Sequence, residues 1–362
     1  MVTEMRTNRR SFLAALLAAS AVPRLSWADA GSPAFLACAR EADESYALYG
    51  LTEGGVDTFR VPLPARGHAG AGHPTRPEAV VFARRPGAYA LVIDCAGGEV
   101  RHRLTPPEGR QFNGHGVFIE GGDLLVTTEQ RASDSAGYLG LWSVTDNYRR
   151  IGERPTGGIG PHEVVRLADD TLVVGNGGIA TDPTDRTKLN IPTMRPNLAY
   201  LSPEGDLLEM VELADDLQFN SIRHLAVGPG GVVGFAMQWE GDPEMLVPLL
   251  GLHRRDAAPV LASAPEAEQR VLQGYAGSIA FDRAGAEVAI TSPRGGRLHR
   301  FDAAGNFLGA VTRADVCGLA GLAQGFLMTD GSGGVLRSEG EAVRPLARSP
   351  RNWDNHVIAL SA

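Results

Sequence analysis

The chain has very little lysine. Lys188 is the only one among 34 basic residues, so almost every cation is a guanidinium. Acidic residues number 42, giving a net charge of −8, and positive surface is too scarce for nucleic acid or anionic lipid to be natural partners. Cysteine is scarce too. Cys38, Cys95 and Cys317 form no C-x-x-C pair or haem-attachment motif. Three thiols allow either one disulfide with a spare thiol or three free ones. No G-x-S-x-G elbow, phosphate-binding Walker loop or H-E-x-x-H motif occurs. Beyond the first thirty residues there is no apolar run long enough to cross a bilayer and no sustained helical periodicity.

The first thirty residues read as an export address. Arg9-Arg10-Ser11-Phe12-Leu13 is a twin-arginine signature, an apolar run continues to Val22, and Ala28-Asp29-Ala30 offers a small-x-small cleavage site. Residues 1–30 are therefore expected to be removed, and residues 31–362 to form one periplasmic domain. The leader holds four arginines against Glu4 and Asp29, so the remainder carries −10, two units beyond the whole chain.

What remains is rich in glycine, 45 residues in all, with short apolar runs separated by Gly, Asp, Pro and Asn turns. The runs recur in groups every 40 to 50 residues, the spacing of propeller blades. Ser45–Tyr49 with Asp57–Val61, Tyr89–Asp94 with Glu99–Arg101, and Leu298–Asp302 with Phe307–Leu308 mark outer strand pairs. The count predicts an all-β, seven-bladed propeller, with six or eight blades or a pair of sandwiches as alternatives. The first blade lacks an innermost strand, and His356–Leu360 is expected to supply it and close the ring.

Aligned on the innermost strand, His115, His162, His224 and His356 fall on its first residue, and His68 has a similar offset. Cys317 takes this register in the seventh blade, as a second-rank candidate ligand, and Gly277 in the sixth. Innermost strands line the channel, so imidazoles are expected to converge at one mouth. Neutral imidazole suits iron, copper or zinc and disfavours calcium and magnesium. Glu163 and Glu129 are candidate carboxylate partners for those rings. His73 is a weaker candidate ligand, while His102, His253 and His299 read as surface residues. The competing reading is a structural Gly-His pair that hydrogen-bonds within its blade. The long 176–197 connection, with Arg186, Lys188, Asn190 and Arg195, is expected to lie over the same mouth as a lid that meets an anionic ligand.

Several motifs together resemble an exported family known as domain of unknown function 1513. They are Arg84-Arg85-Pro86-Gly87, Gly114-His115-Gly116, Gly160-Pro161-His162-Glu163, Lys188-Leu189-Asn190, Ser221-Ile222-Arg223-His224 and Trp353-Asp354-Asn355-His356. The resemblance spans nearly all of residues 31–362. It implies a propeller of the quinoprotein-dehydrogenase or YVTN type and neighbours of the imelysin iron-uptake kind; it implies no activity. The expected function is metal binding, with iron preferred over copper or zinc, by a monomer engaged in iron uptake, iron handling or a redox step. A metal-free docking scaffold and a lactonase-like hydrolase are the alternatives.

Overall fold

In the computed structural model, residues 25–84 and 89–360 are described. The twin-arginine motif and residues 85–87 of the Arg84 motif lie outside them. The chain forms seven four-stranded antiparallel sheets arranged as the blades of a propeller. Blade I takes its innermost strand from Arg351–Ala359 and continues with Phe35–Glu41, Tyr46–Leu51 and Asp57–Leu63. The innermost strands of blades II to VII are Gly67–Gly72, Arg110–Ile119, Pro161–Arg166, Asn220–Val227, Ser278–Phe281 and Val316–Gly321. Each lies against the innermost strands of both neighbours, and together they form a closed ring around the channel.

Sequence explains this layering. Second and third strands are covered on both faces by adjacent blades, so they read as continuous apolar runs such as Glu78–Ala83, which is buried throughout. Outermost strands face water on one side and turn polar, as in Glu99–Leu104. Innermost strands crowd the axis and use small residues, as in Gly67–Gly72. Apolar clusters fill the gaps between blades; Leu36 and Leu48 of blade I meet Val81, Leu91 and Ile93 of blade II.

The expected closure is present. Arg351–Ala359 pairs with Phe35–Glu41 in the register Phe35↔Ala359, Leu36↔Ile358 and Ala39↔Trp353. The strand is longer than expected and begins five residues before His356. Trp27–Ala30, inside the expected leader, forms a turn against blade II; the Trp27 indole donates to the His73 carbonyl over 2.9 Å. All three cysteines are buried free thiols. No helix among the described residues is long and apolar enough to cross a membrane.

Candidate metal centre

The inner strands are irregular at one level. In blade III, Phe112 pairs with Glu129 and Gly116 with Thr127, leaving Asn113, Gly114 and His115 opposite Thr128 alone. In blade I, Asp354, Asn355 and His356 stand opposite Cys38. Register shifts recur at His68, at His162 and beside His224, and again at Cys317-Gly318. Blade VI alone keeps a regular inner pairing here, and its innermost strand carries no histidine. A bulge bends its strand and re-aims a side chain; here five bulges send imidazoles toward the axis. The displaced carbonyls are satisfied: Thr128 Oγ1 donates to His115 O at 3.2 Å and His162 O at 3.1 Å. Gly114 sits at φ +98°, and a Cβ there would lie 2.9 Å from the His68 ring. Only glycine admits both.

His68, His115, His162, His224 and His356 thus come together. The His115 ring centre lies 5.2, 4.9, 5.9 and 4.9 Å from those of His68, His162, His224 and His356. Ligand nitrogens of His68, His115 and His162 all fall within 4.8 Å of one another, as do those of His115, His224 and His356. A metal–imidazole bond of about 2.1 Å spans at most about 4.2 Å between opposed ligands, so closure around one ion needs shifts of under about 1 Å.

Two carboxylates brace the cluster. Asp354 Oδ1 lies 3.3 Å from His68 Nδ1. Glu163 reaches between two blades, with Oε1 3.6 Å from His115 Nδ1 and Oε2 3.4 Å from His224 Nδ1. The Leu225 amide donates to Glu163 Oε2 over 3.0 Å and fixes it. Burial alone would raise the Glu163 pKa, but His115 and His224 outweigh it and hold the carboxyl well below its usual range. Burial pushes His68 down to about 4 against the pull of Asp354. His224 and His356 are lowered by burial as well. These rings are neutral at neutral pH, the form that coordinates metal. Nε2 of His115 and of His356 is buried without a hydrogen-bond partner among the described residues.

The level differs from expectation. His115 is the sixth residue of its strand, His224 the fifth and His356 the sixth, because those strands start earlier and bulge midway. The cluster therefore crosses the channel as a buried layer, not a ring at its mouth. On one side lies a cavity of about 480 Å³, lined by His115, His224 and His356 with Val117, Ile279 and Leu319. On the other is a chamber of about 80 Å³ under Arg84, Arg186 and Arg223.

Other expected site residues lie elsewhere. Cys317 Sγ turns toward the Asp354 carbonyl, 3.5 Å away between blades VII and I, and burial raises its thiol pKa. His73 accepts the Thr75 and Arg76 amides at Nδ1 over 3.1 Å and holds a turn. Glu129 points between strands of its own blade, fully buried, and accepts from Arg150 at 2.6 Å and Thr127 at 2.8 Å. Arg150→Ala should strand that charge and cost about 3–5 kcal/mol, read by denaturant unfolding; an effect below about 1 kcal/mol would refute the pairing. His253 and His299, expected at the surface, are buried, because third strands lie between blades. His253 Nδ1 and the Tyr200 hydroxyl are 2.8 Å apart.

The 176–197 connection is a folded hairpin, not a loose lid. Thr181 bridges Lys188, and Asn190 Oδ1 accepts the Ala180 amide over 2.7 Å. Lys188 pairs with Glu240, and Arg195 with the exposed Asp215 at 3.1 Å. Of the four residues singled out there, only Arg186 lines the chamber. Arg84 and Arg223, which the sequence offers only as parts of the family motifs, also line it, as does Tyr275.

Comparison with solved structures supports the architecture. Hydrazine synthase of Kuenenia stuttgartiensis superposes with a TM-score of 0.59 at 12% identity, covering 84% of this chain and 89% of that one. A protein of unknown function from Bacteroides caccae gives 0.48 at 12% identity, over 78% of this chain and 94% of that one. At such identity the first likeness speaks for the fold alone. No curated protein matches the sequence. The model of a family of proteins of unknown function, DUF1513, matches residues 61–360, and the chain belongs to that family.

Proposed function

We propose that the five-histidine layer is a transition-metal centre, with Nε2 atoms of His68, His115, His224 and His356 as its principal ligands and His162 as a fifth donor. The observation that carries this reading is the division of labour within the rings. It is complete in His115, where Glu163 Oε1 stands 3.6 Å from Nδ1 and Nε2 is buried without a hydrogen-bond partner among the described residues; Asp354 stands 3.3 Å from Nδ1 of His68, and Nε2 of His356 is likewise bare. A histidine oriented at one nitrogen and bare at the other is the usual preparation for a metal ligand. A structural Gly-His pair would instead use its imidazole within the blade. An all-nitrogen donor set suits iron, copper or zinc. Iron is the metal proposed, in uptake, handling or a redox step in the periplasm, on the strength of the twin-arginine motif and the resemblance to an exported family with imelysin-type neighbours. Blades VI and VII contribute no imidazole to the layer; their Ser278 and Leu319 line the larger cavity beside it.

Elemental analysis of protein exported and purified without a metal-affinity tag tests this. About one metal ion per chain is expected, falling to a small residue in His115→Ala/His356→Ala. Substoichiometric metal in the wild type, or undiminished metal in the double variant, would sink the proposal. Iron, copper and zinc are told apart in the same measurement.

A further inference from the structure

The smaller chamber has a charge balance of its own. Its floor is formed by His68, His162 and His224, its walls by Arg84, Arg186 and Arg223, with Tyr275 alongside. The three arginines come from distant segments: the end of blade II's second strand, the tip of the 176–197 hairpin, and the bulge that precedes His224. No carboxylate stands among the described residues that line the chamber, so three guanidiniums share one small space without a counter-charge on its walls.

Nearby carboxylates are too few and already engaged. Asp354 Oδ2 lies 3.6 Å from Arg84 but accepts from Arg66 at 2.5 Å, and its other oxygen serves His68. Glu240 lies 3.9 Å from Arg223 and is paired with Lys188. Arg186 has no ion pair among the described residues, and Arg223 Nε is buried without a hydrogen-bond partner. An unpaired buried guanidinium N–H costs about 1–3 kcal/mol or more, a cost that a bound anion removes.

We infer that this chamber binds a small oxyanion, a carboxylate or phosphate group gripped by the guanidiniums of Arg84, Arg186 and Arg223 directly beside the histidine layer. Guanidinium forks match the paired oxygens of such groups. A space of about 80 Å³ takes a group of a few heavy atoms. Histidines form its floor, so the anion sits where it can share the metal of the proposed centre; only this last point rests on the metal reading. The hairpin is then a wall that carries Arg186 to the site. Its residue 186 holds φ +67°, a left-handed conformation uncommon for arginine.

Calorimetric titration of the metal-free full chain with inorganic phosphate and with oxalate, at constant ionic strength, tests the inference and separates a tetrahedral from a planar ligand. Binding is expected, and Arg186→Gln and Arg84→Gln should each weaken it about ten- to a hundredfold. Arg195→Gln, on the same hairpin but paired at the surface, should change it by less than about twofold. Thermal unfolding of each variant shows that the fold is intact. No binding of either anion at millimolar concentration overturns the inference. So does binding that Arg186→Gln and Arg84→Gln leave unchanged. Metal content is measured in parallel. Arg186-dependent anion binding in a chain that never takes up metal would end the metal reading and leave this one standing; full metal content with no anion binding would do the reverse.

Discussion

His115→Ala should strip more metal than any other single histidine substitution. His115 is the member common to both groups of converging nitrogens, His68-His115-His162 and His115-His224-His356. Its ring lies within 5.9 Å of all four others, while the His68 and His162 rings are 6.3 Å apart. Losing His162 leaves the second group whole; losing His115 breaks both. Second-shell changes at metal sites typically cost about 10–100-fold in affinity, the range expected for Glu163→Gln. Loss of a shared ligand should exceed about 100-fold. The metal-free protein should hardly be destabilised, because a buried Nε2 with no partner already costs about 1–3 kcal/mol and its removal offsets lost packing. Competition with a chromophoric chelator, alongside denaturant unfolding of the stripped protein, reads both quantities. If His115→Ala and His162→Ala lose metal equally, His115 is not the shared ligand.

How far the sequence revealed this site depends on which physical signal each residue carries. Blade count and ring closure were legible because strand runs and turn residues repeat, and the repeat leaves the first blade one strand short. The histidine register was legible for the same reason. Its level in the channel was not, since a bulge adds a residue without changing composition: Asn113, Gly114 and His115 look like the start of a strand but interrupt one. Cys317 shares the bulged position in blade VII, yet its sulfur turns sideways into the seam with blade I. Glu129 was misjudged because a buried carboxylate in a strand looks alike whether it braces a metal ligand or an arginine. Arg84 and Arg223 stand in family motifs without a site role legible in them, and Tyr275 in none, because the three meet only in the folded ring.

That closure is also where the fold is most exposed to damage. A chain ending at Pro350 should fail to reach the native state. It would lose the innermost strand of blade I, whose partner Phe35–Glu41 would then offer an unpaired edge to the channel and to other chains. It would lose Trp353, Val357 and Leu360, buried in the seams on either side of that blade. Losing a buried tryptophan costs about 3–5 kcal/mol, and a buried valine or leucine about 1.5–3 kcal/mol each. Together these approach the whole stability of a domain, about 5–15 kcal/mol, before ladder hydrogen bonds are counted. Asp354 and His356 go too, removing a ligand of the proposed centre and the carboxylate beside His68. The truncated chain should aggregate or lose its cooperative thermal transition, and a separate peptide of residues 351–360 should restore the transition in part. A truncated chain that stays monomeric and unfolds within a few degrees of the full one would show that the ring is held by its seams alone. In that case the closing strand serves the histidine layer instead of the fold, and metal content should fall while stability holds.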